Sequence, residues 1–314
     1  MTRTNGQSRN FLKGMAFLSP WLVGFLVFML LPIGLSLYYS VCDYSILQPP
    51  VFCGWDNYRL LLFHDDLFWQ VMRNTAYYAV LVLPLGLVAS LGAALLLNRK
   101  VPGQSIFRTI VFLPSLVPLV ASAIVWMWIY NQKLGLLNAI IRMLCVPPNA
   151  LLRLLHLPQF SPIQPPWIVD ARWVIPALVL MTVWGMGNQV IIYLAGLQDV
   201  PRELYEAADL DGANSFRKLI HVTLPMISPV IFFNLVTMMI WVLQVYDAPF
   251  IISGGTGGPN HASYLMSMYL YDEGFFYLRM GYASAIAWMQ LLIIVAMTAA
   301  AFWTSRRWVY YQGK

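Results

Sequence analysis

The residues best suited to specific chemistry gather in one stretch, Tyr205 to Pro225, which reads YEAADLDGANSFRKLIHVTLP. Glu203, Glu206, Asp209 and Asp211 place negative charge on a short segment, and a carboxylate such as Glu206 can accept charge-assisted hydrogen bonds from donors on a second protein. Pro201 suits a first helical turn, acidic residues favour that end of a helix, and Gly212 can terminate it. A second short helix is predicted over Ser215 to His221. Ala207 and Ala208 keep one surface small enough for another backbone to come close. From the residues alone, a docking element and a solvated amphipathic loop are both open.

Elsewhere the chemistry is sparse. His64, His156, His221 and His261 are far apart and lack HExxH spacing, so metal catalysis is disfavoured. Cys42, Cys53 and Cys145 form no CxxC pair; Cys42 and Cys53 share one outer loop, where either a single bridge or two separate thiols would fit. The run Gly254, Gly255, Gly257 and Gly258 lacks the lysine of a phosphate loop and reads as a flexible turn. Neither GxxxxGK[ST] nor GxSxG occurs, so the chain is expected to bind no nucleotide and to be no enzyme. Uncharged polar residues inside apolar runs are the other candidates, because an amide is unfavourable in hydrocarbon and tends to face a bundle interior. They are Asn188, Gln189, Asn234, Gln244 and Gln290. Trp184 and Asn188 share a helix face by spacing, as do Asn234, Met238 and Trp241. Amides beside aromatic faces suit a neutral sugar; interhelical hydrogen bonding is the competing use.

These residues must be positioned by membrane helices. The chain has 314 residues, is 60% hydrophobic and only 10% charged, which exceeds the apolar share of soluble domains. Six uncharged stretches of spanning length occur: Phe17 to Tyr39, Tyr77 to Asn98, Thr109 to Gln132, Trp173 to Gln198, Leu224 to Tyr246 and Met280 to Ser305. Prolines within them, including Pro32, Pro84, Pro114, Pro118, Pro176 and Pro229, predict kinks. The N-terminal Arg3, Arg9 and Lys13 resemble a signal peptide, but the following run is too long and lacks a small-residue cleavage site, so it reads as the first span. The net charge of +6 is scattered rather than striped, which disfavours nucleic acid and reads as an orientation signal. Basic residues concentrate on one side, placing both termini in the cytoplasm. The fold class is thus an all-α integral membrane protein of six transmembrane helices, with the acidic loop cytoplasmic between helices 4 and 5. The expected organisation is a tail, first helix and outer loop over residues 1–75, a five-helix core over 76–305 with its loop at 199–223, and a tail over 306–314. An outer region from Lys133 to Arg172 is proline-rich between Pro147 and Pro166, with an amphipathic piece at Leu136 to Leu144 that suits the membrane surface.

No span contains Asp, Glu, Lys, Arg or His, which disfavours a proton-coupled carrier, although sodium coupling through backbone carbonyls needs no such charge. Glu206, Ala207, Ala208, then Asp211 and Gly212, then Leu224 and Pro225 resemble the coupling-loop motif of ATP-binding-cassette importer permeases. Val222 stands where that family usually has isoleucine. GWDNYRLLL from Gly54, FWQVMRNTAYY from Phe68, NRKVPGQSIFRTIVFLPSLVP from Asn98 and SGGTGGPNHASYLMSMYLY from Ser253 extend the similarity to the sugar-permease, maltose-type branch over nearly the whole chain. The resemblance implies a bacterial plasma-membrane permease subunit for a sugar or oligosaccharide, working with a second permease chain, a dimeric ATPase that holds ATP and Mg, and an extracytoplasmic sugar-binding protein. Its surroundings are membrane lipid. The alternatives are a stand-alone secondary carrier or channel for a small neutral solute, and a membrane-embedded enzyme, for which no catalytic constellation appears.

Overall fold

The computed structural model describes residues 4–99, 101–144 and 164–310. The stretch from Pro147 to Pro162, with Cys145, Arg153, His156, Lys100, Arg3 and Lys314, lies outside the described residues. By contacts the chain divides into one unit of residues 1–65 with 270–289, and another of 66–269 with 290–314. The first division therefore falls where the second long helix begins.

In the first unit, α1 (Thr4–Phe25) runs through a π-helical turn, Leu26–Leu30, into α2 (Leu31–Ser40). That widened turn precedes Pro32, whose ring would otherwise strike the carbonyl four residues back. Within the continuous span Lys13–Ser40 the most apolar 18 residues have a mean hydropathy of 2.1 and none of them is buried, which suits contact with acyl chains, whereas Ser40 at the end of the span is buried. A hairpin follows, the one departure from an all-helical chain among the described residues. β1 (Cys42–Ser45) pairs antiparallel with β2 (Gln48–Phe52), Cys42 facing Phe52 across the ladder. Cys53 is one residue beyond, and its N–H bonds Val41 O at 3.0 Å. Alternation along a strand turns its side chain to the opposite face from Cys42, and both thiols are free, so the bridge considered from sequence does not form. Asn57 of α3 (Asp56–Phe63) donates to Ser40 O and Cys42 O at 3.0 and 2.9 Å, tying the hairpin to the end of α2.

The same unit holds a buried carboxyl. Glu273 accepts a 2.7 Å bond from Arg279, whose guanidinium lies over the rings of Tyr277 and Tyr282. Burial raises the Glu273 carboxyl above the usual carboxylate range, and Arg279 opposes the shift.

The second unit begins with α4 (Asp66–Leu97), followed by α5 (Gln104–Leu116), α6 (Leu119–Ile129) and α7 (136–144). After the undescribed stretch come α8 (Val174–Trp184), α9 (Gly187–Gln198), α10 (Arg202–Leu210), α11 (Ser215–Lys218) and α12 (Leu224–Met226). The chain ends with α13 (Ser228–Leu243), α14 (Asp247–Ser253), α15 (Met266–Tyr271) and α16 (Met280–Ser305). Among the described residues, four stretches are long and apolar enough to span without a sharp break: Lys13–Ser40, Asp66–Leu97, Ser228–Ser253 and Met280–Ser305. The pairs α5–α6 and α8–α9 bend by 101° and 47°, giving six spans if each pair is one. The third expected span is therefore two helices at nearly a right angle, not a kinked rod. The cause lies at Val117 and Pro118, both extended: proline forces the residue before it out of the helical region and offers no N–H itself.

Helix α4 packs on α8, α9 and α13. Small residues let these helices close. A Cβ at Gly86 would overlap the Met186 sulfur and come within 2.7 Å of Met238 Cε, and one at Gly196 would lie 2.7 Å from Val230. Around them Tyr78, Val82, Leu178, Met181, Met186 and Met238 form the core. The glycine run is a turn with positive φ at Gly254, Gly255, Gly257 and Gly258. It is held rather than loose: α4 supplies Gln70 to Asn260 O, Asn74 to His261 O at 2.7 Å, and the Thr75 hydroxyl accepts from Met266 N at 3.0 Å.

Candidate functional site

The break between α5 and α6, the break between α8 and α9, and the unwinding of α13 before α14 face one cavity of about 590 Å³. Disrupted helix ends leave polar groups free to line a space, which is where irregular backbone is tolerated at membrane depth. Ser115, Ser122, Thr182, Asn188, Gln189, Asn234, Thr237, Trp241, Gln244 and Asp247 contribute its polar and aromatic wall. Asn234 has 0% exposure, so its amide is sealed from the cavity, and it sits beside the buried Tyr193 hydroxyl, with which it interacts. Asn188 and Gln244 are exposed and Gln189 is half-buried, so these are the amides that a solute in the cavity can reach.

Of the residues expected along a solute path, Asn188, Asn234, Trp241 and Gln244 line this cavity and Trp184 and Gln290 do not. Trp184 lies across the Gly185 break from Asn188 and stacks edge-on against Trp126, with ring centroids 5.6 Å apart. Gln290 is turned to structural use: its Nε2 donates to Leu243 O at 2.7 Å, satisfying a carbonyl at the end of α13, and to Ser267 Oγ at 3.3 Å. Gln290→Leu is expected to lower thermal stability in detergent by about 1–2 kcal/mol through the orphaned carbonyl, with the affinity for solute unchanged; a shift in KM without loss of stability would contradict this role.

Between α9 and α13 stands the acidic loop. Pro201 precedes α10 and Glu203 occupies its first turn. At the other end Gly212 has φ +72°, Gly212 N bonds Asp209 O at 3.0 Å, and Ala213 N bonds Ala208 O at 2.9 Å. This pairing is a Schellman stop, whose left-handed position favours glycine. Asn214 then caps α11 by accepting from Arg217 N at 2.9 Å. Lys218 pairs with Asp209, and the Tyr205 hydroxyl bonds Thr223 Oγ1 at 3.0 Å, bracing α10 against the chain leading to Leu224 and Pro225. The second helix of the loop turns π-helical over Leu219–Thr223, again just before a proline, Pro225. Glu206, Ala207, Asp211 and Gly212 are exposed and Ala208 is half-buried. Leu210, 91% exposed, and Phe216, 68% exposed, project from the same loop. They were not among the sequence candidates; two large apolar side chains flanking an acidic, glycine-stopped helix were the signal that could have found them.

An amide-lined cavity within a helical bundle, with a braced, exposed helix between two spans, defines the membrane component of a transport system rather than an enzyme. The model of the family described as binding-protein-dependent transport system inner membrane component matches residues 83–310, and the chain belongs to that family. It is 35% identical over 315 residues to a probable ABC transporter permease protein, YesP, of Bacillus subtilis (strain 168), covering 100% of this chain and 97% of that one. It is 31% identical to the lactose transport system permease protein LacF of Rhizobium radiobacter, with 94% of each covered. Its fold is similar to a chain in the crystal structure of a bacterial alginate ABC transporter in complex with an alginate pentasaccharide-bound periplasmic protein, with a TM-score of 0.75, 22% identity and 98% of both chains covered.

Proposed function

We propose that this chain is the permease subunit of an ATP-driven importer that passes a sugar or oligosaccharide through the 590 Å³ cavity. The exposed amides of Asn188 and Gln244, together with the Trp241 ring on the wall of that cavity, carry the reading, since amides and an aromatic face match the hydroxyl groups and ring faces that such a solute presents. The lactose permease among its relatives supports the same solute class. A binding protein delivers the solute from outside the plasma membrane. A second permease chain completes the path, and both termini and α10 face the cytoplasm, where an ATPase dimer holds ATP and Mg. This chain supplies no nucleotide chemistry; Glu206, Ala207, Ala208, Asp211 and Gly212 meet the ATPase, and its closure moves α10 as a lever on α9 and α13 through Leu224 and Pro225.

Asn188→Leu keeps the branched shape of the exposed side chain and removes its hydrogen bonding. In proteoliposomes holding the complete complex, the variant is expected to assemble normally and lose sugar uptake at least tenfold, a transition-state loss of about 1.4 kcal/mol. Uptake at the parent rate would overturn the assignment of the cavity. Uptake by this chain alone, without ATPase, would favour a stand-alone carrier instead.

A further inference from the structure

Among the residues lining the cavity only Asp247 carries a charge, and no Lys, Arg or His joins it. Asp247 is exposed and takes part in none of the ion pairs among the described residues. Its place as the first residue of α14 favours that helix, but this does not require it to border a space walled by amides, hydroxyls and a tryptophan. In a cleft with low-dielectric walls, one unneutralised carboxylate sets the sign of the potential over the enclosed volume. We propose that Asp247 is a specificity-determining residue that makes the cavity favour saccharides without negative charge, neutral or amino-bearing, and disfavour uronates and phosphorylated sugars. The proposal rests on the cavity being the solute path. The repulsive element adds selectivity that the amides alone do not give, because amides also hydrogen-bond carboxylates and phosphates.

The sign of the potential can be read without knowing the solute. Thr237→Cys, on the exposed wall of the cavity, is introduced into the complete importer, and its modification by the cationic reagent 2-(trimethylammonio)ethyl methanethiosulfonate is compared with that by anionic 2-sulfonatoethyl methanethiosulfonate. Labelling of the native cysteines is subtracted using the parent chain, and Gln244→Cys gives a second reading on the same wall. The cation-to-anion rate ratio is expected to exceed that of free cysteine by about tenfold, to shrink as salt is raised, to return to the free value with Asp247→Asn and to invert with Asp247→Lys. A ratio equal to that of free cysteine, or one unchanged by Asp247→Asn, overturns the proposal, as does an anionic solute recovered from the binding protein. None of these results depends on uptake by Asn188→Leu, which tests the solute path itself.

Discussion

A chain carrying Leu210→Asp will insert into the membrane as the parent does and fail to retain the ATPase proposed as its partner. Leu210 is 91% exposed at the last position of α10, immediately before the Asp211–Gly212 stop that fixes where the helix ends. An apolar side chain held out from a braced helix is suited to a pocket on another protein, and truncating such an anchor costs about 2 kcal/mol or more. Asp at the same place adds the desolvation of a carboxylate. The affinity is therefore expected to fall at least about thirtyfold, measured by copurification of the ATPase with a tagged permease, while the variant remains in the membrane fraction. Full retention of the ATPase would refute the docking role of α10.

Gly281→Ala will destabilise the chain far more than its single added methyl group implies. A Cβ at Gly281 would overlap the backbone oxygen of Cys42 and come within 3.1 Å of Tyr44 N and 3.2 Å of Tyr39 O. These are backbone atoms at the junction of α2 and β1, pinned by Asn57, so no side chain can swing aside. Overpacking against a fixed wall costs about 3 kcal/mol, and the expected fall in Tm is roughly 6–12 °C. Thermal unfolding of the purified protein checks it, with Gly24→Ala as the control, because nothing lies within 4 Å of a Cβ there. Equal melting of the two variants would show that the hairpin gives way.

The spans were legible because a bilayer imposes a minimum apolar length, and the start and stop of α10 were legible because Pro201 and Gly212 each have a stereochemical reason to stand there. The shared face expected for Trp184 and Asn188 presumes one continuous helix, whereas α8 ends at Trp184 and α9 begins at Gly187. Spacing of four aligns two side chains only on an unbroken helix, and these two stand on helices that meet at a 47° bend. Gln290 shows the other limit: hydropathy marks an amide as needing a partner but does not say whether a carbonyl, here that of Leu243, already meets the need. Asp247 escaped notice because it follows the expected span ending at Tyr246, whereas the apolar stretch continues through α14 to Ser253. The right angle at Pro118 was signalled as a kink, but its size depends on Val117 and Pro118 both being extended, which residue types alone do not dictate.

The unsheathed N-terminal span has a further consequence for where the protein is comfortable. Its 28 residues measure about 42 Å as a helix, against a hydrocarbon thickness of about 30 Å. The surplus is taken up by leaning, by local thickening of the lipid, or by letting the ends run among the headgroups. Because the apolar part of this rod is exposed while Asn57 holds its Ser40 end, its inclination answers to bilayer thickness, making it a segment sensitive to acyl-chain length.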